Sequence, residues 1–131
     1  MKTSKKVGVW MDYSAAHIIE FSENPNEIGT IKSKFASRIC KEKNKGVAHL
    51  YSLAKQCKTE YLNKIAATIS NYDKVLLFGP TNAKAELFNL LFEDQRFFKI
   101  KAYLEETGNM SPKKRNRYMS KHFARTLHEA I

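Results

Sequence analysis

A short apolar segment that runs into a helical pattern constrains the fold of this chain more than any other feature. Residues 74–78 are apolar after their first lysine, and the segment stops at Gly79-Pro80. From Thr81 the apolar residues recur at helical spacing as far as about Asp94. This pattern predicts a buried strand followed directly by a helix, which is the unit from which α/β proteins are built.

The rest of the chain predicts four more strands and two more helices. Three short segments at residues 7–11, 15–21 and 27–35 are strand-like, and the tight turns between them predict an antiparallel meander. Apolar residues then recur in steps of three and four from Val47 to Tyr72, which predicts a long amphipathic helix. Residues 96–104 alternate as a fifth strand does, and Ser111-Pro112 is typical of the start of a last helix.

The predicted element order is therefore βββ-α-β-α-β-α. A meander followed by two strand–helix units gives a mixed five-stranded sheet with helices on both faces. The ribonuclease-H-like topology has this order, so we expect a three-layer α/β fold of that type. A chain of 131 residues has the size of one domain with a core, and no linker or repeat divides it. We expect a single domain over residues 1–131.

Cysteine usage and the apolar runs predict a soluble, cytoplasmic protein. Cys40 and Cys57 are the only cysteines, and neither stands in a paired motif, which suits a reducing compartment. The first six residues lead directly into a strand-like segment, where a secretory signal would have a long apolar stretch. The longest apolar runs are far too short to span a membrane.

Charge is the feature that points to a partner. The chain has 23 basic and 13 acidic residues and a formal net charge of +10. Residues 32–58 contain eight basic residues and a single acid, Glu42, and residues 113–125 contain six basic residues and no acid. Such clusters favour nucleic acid as a partner, although a solvated basic surface is the alternative interpretation.

The second cluster follows the spacing of one helix face. Its basic residues step by three and four along the predicted last helix: Lys114, Arg117, Lys121, Arg125 and His128. Like charges at these spacings repel, so the stripe does not stabilise the helix itself. A solvated helix face usually carries both signs, and this one does not. We expect the stripe to contact phosphates, while Met119, Phe123, Leu127 and Ala130 pack on the sheet.

The first cluster, residues 32–58, includes residues 36–46, which show no usable periodicity and are predicted to form a loop. Its candidate nucleic-acid-binding residues are Arg38, Lys41, Lys43 and Lys45. A lysine-rich loop can also be a solubilising tip. Nothing in either cluster resembles a base-reading pattern, so contacts would be mostly with phosphates and sensitive to salt.

The strand–helix junction is a candidate anion site formed by Thr81, Asn82 and Lys84. Lys84 falls in the first turn of the predicted helix, where the helix dipole disfavours a cation unless an anion is near. The junction lacks the second glycine of a nucleotide-binding phosphate loop, and no Ser or Thr follows the lysine, so we expect no nucleotide cofactor. The alternative is that Thr81 caps the helix and Lys84 extends to solvent.

The positions of the carboxylates in the sequence do not indicate a catalytic site. A metal-dependent nuclease needs several carboxylates at one end of the sheet. Asp12 ends the first strand, but Asp73 precedes its strand and lies at the opposite end, and Glu20 and Glu105 are each unaccompanied. We expect no metal, no cofactor and no catalytic residue, and Asp12 is expected to bind its own turn. A hydrolase acting through Asp12 is the alternative.

Three motifs occur in an order that resembles a known family. They are residues 9–12 with 15–17, residues 77–80 with Lys84, and Met110-Ser111 before His122-Phe123. Together they resemble small bacterial relatives of the central domain of archaeal and eukaryotic release factors and of Pelota. The resemblance covers nearly the whole chain. It implies the variant of the ribonuclease-H-like fold found in the translational machinery, and association with the ribosome, its RNA or tRNA.

One departure from the family bears on activity. Release factors carry a Gly-Gly-Gln tripeptide on a loop of this domain, whereas this sequence has no Gly-Gly, and Gln56 and Gln95 lie in or beside predicted helices. The corresponding segment is the lysine-rich stretch 36–46, so release activity is not implied. The sequence therefore predicts a non-enzymatic RNA- or ribosome-associated module. A protein-interaction domain on the same fold is the remaining alternative.

Overall fold

The computed structural model describes residues 4–22 and 25–129, and the side chains of all of these except residue 26 and residues 126–129. The strands and α-helices are β1 (Lys6–Met11), β2 (Ala15–Glu20), β3 (Asn26–Lys32), α1 (Phe35–Glu42), α2 (Val47–Thr68), β4 (Lys74–Gly79), α3 (Ala83–Glu93), β5 (Lys101–Glu106) and α4 (Pro112–Glu129). Two short 3₁₀ turns, Lys43–Lys45 and Gln95–Phe97, follow α1 and α3.

The five strands form one mixed sheet in the order β3-β2-β1-β4-β5. The pairs β1–β2 and β2–β3 are antiparallel, and β1–β4 and β4–β5 are parallel. The predicted mixed five-stranded α/β sheet is confirmed. Four strands therefore end at the same side of the sheet, called here the carboxyl edge, and α1, α3 and α4 each follow one of these ends.

Helices cover both faces of the sheet, so the fold has three layers. Val7, Val9 and Met11 of β1 point into the core formed with α2 and α3. On the opposite face Trp10 and the β4 residues Leu76 and Phe78 pack with Met119 and Phe123 of α4. β1 is buried along its whole length because it lies at the centre of the sheet with helices on both sides.

The junction between β4 and α3 depends on a close approach of two strands. Gly79 has φ of 150°, a conformation that side chains rarely adopt, and a Cβ placed on it would lie 2.1 Å from the carbonyl oxygen of Met11. Glycine is therefore required at the end of β4. The helix that follows begins with Asn82 as its N-cap residue and Ala83 as its first residue.

The segment predicted as a loop at residues 36–46 is instead mostly helical, and this prediction is wrong. α1 is an eight-residue helix, and a 3₁₀ turn and Gly46 (φ 96°) connect it to α2. Two turns of helix are too short for their periodicity to be told from chance, and the structure shows that α1 packs on α2. The observed order of strands and α-helices is therefore βββ-α-α-β-α-β-α.

The other differences are in element boundaries. The fifth strand was predicted to begin at Arg96, but residues 95–97 form a 3₁₀ turn and β5 begins at Lys101. Asp94 stabilises this turn, because its carboxylate accepts the backbone N–H of Arg96 at 2.9 Å. α2 ends at Thr68, four residues earlier than predicted, and β3 ends at Lys32.

Candidate nucleic-acid interface

The predicted basic stripe lies on the outer face of α4. Ser111 Oγ accepts the backbone N–H of Lys114 at 3.3 Å, so the predicted cap followed by Pro112 starts the helix. Met119 and Phe123 are fully buried against the sheet. Because they anchor one side of the helix, the residues on its other side face solvent: Lys114, Arg117, Lys121 and Arg125.

The four stripe residues have no acidic partner among the described side chains. None of them forms an ion pair with a carboxylate of residues 4–22 or 27–125. Their charge is therefore presented to solvent along the helix. The predicted extension of the stripe to His128, and of the packing face to Leu127 and Ala130, lies outside the described side chains.

Arg115, in the same basic segment, is part of the fold. Its guanidinium carbon lies 4.8 Å from the centre of the Trp10 ring, and its Nε donates to the carbonyl oxygen of Met110 at 3.2 Å. Its Nη1 lies 3.6 Å from a carboxylate oxygen of Glu27. These contacts join α4 to β1 and β3, and they remove one positive charge from the surface.

The first basic cluster lies on a helical hairpin, residues 35–57, called here the hairpin. α2 has 22 residues and is about 33 Å long, whereas a six-residue strand spans about 20 Å. Tyr61 Oη donates to the carbonyl oxygen of Asp12, at the carboxyl edge, at 2.8 Å. The turns of α2 before Tyr61 therefore extend past this edge, where α1 packs against them.

The hairpin's basic residues differ in their exposure to solvent and in their pairing with carboxylates. Arg38 is half-buried, and its guanidinium contacts Glu42 at 3.4 Å and the sulfur of Cys57 at 3.8 Å. Lys41, Lys43 and Lys45 are exposed. Only Lys45 among these three lysines pairs with a carboxylate in the described part of the chain, at 3.6 Å from Glu42.

Glu42 is the centre of charge pairing in the hairpin. His49 Nε2 lies 3.0 Å from its carboxylate, in addition to the contacts with Arg38 and Lys45. The hydrogen bond with His49 and the two nearby cations lower the pKa of Glu42 despite partial desolvation. Since the one acidic side chain of residues 32–58 already has three partners, the hairpin presents positive charge to solvent.

The two basic surfaces do not form one continuous patch. The hairpin belongs to the layer that contains α2 and α3, while α4 covers the other face of the sheet. Both follow strands that end at the carboxyl edge, β3 for the hairpin and β5 for α4. A single RNA segment would have to pass around this edge to reach both.

The predicted anion site at the β4–α3 junction has an internal anion. The Lys84 side chain is 3% exposed, and its Nζ donates to the carbonyl oxygen of Thr81 and lies 2.6 Å from a carboxylate oxygen of Glu106. Thr81 Oγ1 accepts the backbone N–H of Ala83 at 3.3 Å, and Asn82 is exposed. Lys84 does not extend to solvent, and binding of an external anion to it stays a prediction that would require Glu106 to move.

Asp12 organises the turn between β1 and β2. Its carboxylate accepts the N–H of Ser14 at 2.7 Å and of Ala15 at 2.9 Å, and the Ser14 hydroxyl at 2.7 Å. Partial burial disfavours its ionised form, but these hydrogen bonds outweigh it and lower the pKa of Asp12. Asp73 binds the backbone N–H of Lys5 at the opposite edge. No group of three potential metal ligands occurs within the residues that the structure describes.

Two exposed apolar features were missed from the sequence. Val47 and Tyr51 of the hairpin are 70% and 76% exposed, and Phe92 and Phe98, beside a groove between α3 and β5, are 83% and 86% exposed. Tyr51 lies on the apolar stripe of α2, so the sequence favours a position in the core for it as much as an exposed one. The predicted helix is longer than the strands, and this was the signal in the sequence that the sheet would not cover its first turns. In the described helices, none is long and apolar enough to cross a membrane.

Comparison by sequence gives no relative. No protein-family model matches this chain, and no curated protein matches it. Comparison by structure gives matches of high probability that cover most of the chain. The Pelota protein of Thermoplasma acidophilum superposes with a TM-score of 0.59 over 88% of this chain at 16% identity. Pelota of Archaeoglobus fulgidus gives 0.60 over 98% at 14% identity. The chain has the fold of part of Pelota.

An archaeal translation termination factor, aRF1, has the same fold, with a TM-score of 0.52 over 95% of this chain at 10% identity. The resemblance to Pelota and release factors inferred from the motifs is confirmed at the level of the fold. The chain spans 31%, 37% and 39% of these three proteins, about a third of each. The motifs that carry the resemblance lie at the end of β1, at the β4–α3 junction and before α4.

Proposed function

We propose that this chain is a non-enzymatic, translation-related module that binds ribosomal RNA or tRNA in the cytoplasm through the phosphate backbone. One observation carries the proposal. Four cations on the outer face of α4 are exposed and lack a carboxylate partner among the side chains that the structure describes: Lys114, Arg117, Lys121 and Arg125. The hairpin, with Lys41, Lys43, Lys45 and the half-buried Arg38, is a second contact surface.

A polyanion supplies the negative charge that this surface lacks. Exposed cations spaced by three and four residues repel one another, and binding to phosphates converts that repulsion into attraction and releases counterions. Each phosphate contact on single-stranded RNA lowers the slope of log K against log salt by about 0.7, so four contacts predict a slope near –3. The fold shared with Pelota and with a translation termination factor supports the ribosome as the source of this RNA.

The test is co-sedimentation of the purified protein with ribosomes at several salt concentrations. We expect the triple variant Lys114→Glu, Arg117→Glu, Lys121→Glu to lose binding by at least tenfold, because it reverses the charge of the stripe and leaves the buried face of α4 intact. The matched control is Lys5→Glu, Lys99→Glu, Lys101→Glu, which changes the net charge equally at exposed residues outside both surfaces.

The control separates a local interface from a general effect of charge. Equal loss of binding in both triple variants would show that only net charge matters. Unchanged binding of the stripe variant, with the fold intact by circular dichroism, would remove α4 from the interface. Cleavage of RNA by the wild-type protein with Mg²⁺ or Mn²⁺, abolished by Asp12→Asn, would replace the proposal with the hydrolase alternative.

A further inference from the structure

The apolar stripe of α2 continues past the part of the helix that the sheet covers. Tyr61 and Ile65 in this stripe are 3% and 0% exposed. Further towards the N-terminus, Val47 and Tyr51 continue the same stripe but are exposed, because the hairpin extends past the carboxyl edge. Their exposure has a geometric cause, and nothing within the described fold covers them.

Lysines stand on both sides of this exposed stripe along the chain. Lys43 and Lys45 lie in the turn that leads into α2, and Lys55 follows Tyr51 by one helical turn, so it lies on a neighbouring part of the helix surface. All three lysines are exposed. Glu42 is already engaged by Arg38, Lys45 and His49. An aromatic ring beside cations that outnumber the one carboxylate paired with them is the combination that binds single-stranded nucleic acid.

We propose that Tyr51, with Val47 beside it, stacks on an unpaired base of RNA whose phosphates lie against Lys43, Lys45 and Lys55. This inference rests on the proposed function and adds the class of RNA to it: a single strand or an open loop. The bases of an A-form duplex are stacked on one another, so their faces are closed to a protein ring. Stacking on one face tolerates any base, in keeping with the absence of a base-reading pattern.

Charge decides between RNA and an apolar protein surface as the occupant. A protein segment that buried Tyr51 would also bring its backbone and side chains against several lysines, and would need matching carboxylates. RNA supplies flat aromatic bases and one phosphate per nucleotide in the same chain. RNA therefore fits this surface better than a protein segment does, and binding of a protein is one of the outcomes that the test distinguishes.

The experiment measures binding to three fluorescent probes of equal length by anisotropy: single-stranded oligoadenylate, an RNA duplex, and an abasic oligonucleotide that has phosphates without bases. We expect the wild-type protein to prefer oligoadenylate. Tyr51→Ala should weaken binding of oligoadenylate by about 5- to 150-fold, the loss expected for one stacked base, without changing the salt slope. Tyr51→Phe should retain binding, because the ring is kept.

Two further variants act as controls. Phe98→Ala removes another highly exposed aromatic ring far along the chain and should leave binding to all three probes unchanged. Lys43→Gln with Lys45→Gln should weaken binding of oligoadenylate and of the abasic chain alike, and should reduce the salt slope by about 1.4 for two lost phosphate contacts.

The outcomes separate the inference from the proposed function. Binding of oligoadenylate that is unaffected by Tyr51→Ala overturns the stacking role and leaves the phosphate-binding function standing. Equal loss on the abasic probe shows that Tyr51 acts without bases, and also overturns it. No binding of any probe or of ribosomes by the wild-type protein at low salt overturns both. Tyr51-dependent binding to protein extracted from ribosomes, with no dependence on RNA, makes the occupant a protein.

Discussion

The ammonium group of Lys84 lies 2.6 Å from a carboxylate oxygen of Glu106, at the point where β5 ends. Its position in the first turn of α3 looked unfavourable from the sequence, because the helix dipole disfavours a cation there. The fold supplies the compensating charge from a strand more than twenty residues later, and the carbonyl oxygen of Thr81 accepts a second bond. A residue selected as a ligand-binding candidate thus has a structural partner.

This pairing predicts that removing its carboxylate destabilises the protein more than removing its ammonium group. We expect Glu106→Ala to lower the free energy of unfolding by about 1–3 kcal/mol, because it leaves a buried ammonium group without its carboxylate. Lys84→Met should have a smaller effect, since it removes the buried charge and keeps a side chain of similar length. Urea unfolding of both variants measures the difference, and a larger loss for Lys84→Met would contradict it.

The same variant tests the anion site that the sequence predicted. In Glu106→Ala, sulfate should restore stability relative to chloride at equal ionic strength if Thr81, Asn82 and Lys84 can hold an external anion. The wild-type protein, in which Glu106 occupies that position, is the control. Equal effects of the two salts on both proteins would assign the junction a structural role alone.

At the scale of elements, α4 is held close to the sheet by the absence of a side chain at one position of β1. A Cβ placed on Gly8 would lie 2.4 Å from Cγ of Met119. Arg115 and Phe123 fix the helix on either side of this contact, through Trp10 and through the ring of Phe21 at 5.4 Å. The orientation of the basic stripe towards solvent depends on this packing of α4 against β1.

Gly8→Ala should therefore disturb the helix that carries the proposed interface. We expect the free energy of unfolding to fall by about 1–3 kcal/mol, because the added methyl group overpacks the contact with Met119. Met119→Ala in the same chain should recover part of the loss by making room. Thermal or urea unfolding of the single and double variants gives the coupling energy, and additive losses would contradict the contact.

At the scale of the whole molecule, the positive charge is divided between two surfaces on opposite layers. The hairpin and α4 belong to different layers and meet only by way of the carboxyl edge. A particle as large as a ribosome can contact both surfaces at once, whereas a short RNA can occupy one. On the proposed function, this arrangement favours a large or folded RNA over a short one.

This division predicts how losses of ribosome affinity combine. Lys41→Gln, Lys43→Gln, Lys45→Gln on the hairpin and Lys114→Gln, Arg117→Gln, Lys121→Gln on α4 should each weaken binding and reduce the salt slope by about 2. In the combined variant the losses in binding free energy should add, because the two sets share no partner among the described residues. Co-sedimentation across a salt series measures this, and a hairpin variant that binds as the wild-type protein does would restrict the interface to α4.

Much of this fold could be read from local pattern. The meander, the long helix, the strand–helix junction at Gly79 and the cap at Ser111 follow from hydrophobic spacing and turn residues, which act over a few positions. α1 was missed because its eight residues make only two turns, and so short a segment does not distinguish a helical period from chance. The start of β5 was also predicted wrongly, because the alternation of residues 96–104 was weighed above Asp94, whose carboxylate caps a 3₁₀ turn at residues 95–97.

The sequence by itself determined the class of fold and the stripe on α4, since both arise from periodicity within single elements. The tertiary structure alone decided which charges and rings are available. It buried Arg115 against Trp10, gave Lys84 the carboxylate of Glu106, and left Tyr51 exposed by extending α2 past the sheet. Exposure and pairing depend on contacts between residues far apart in the chain, and the spacing of residues along one element carries no information about them.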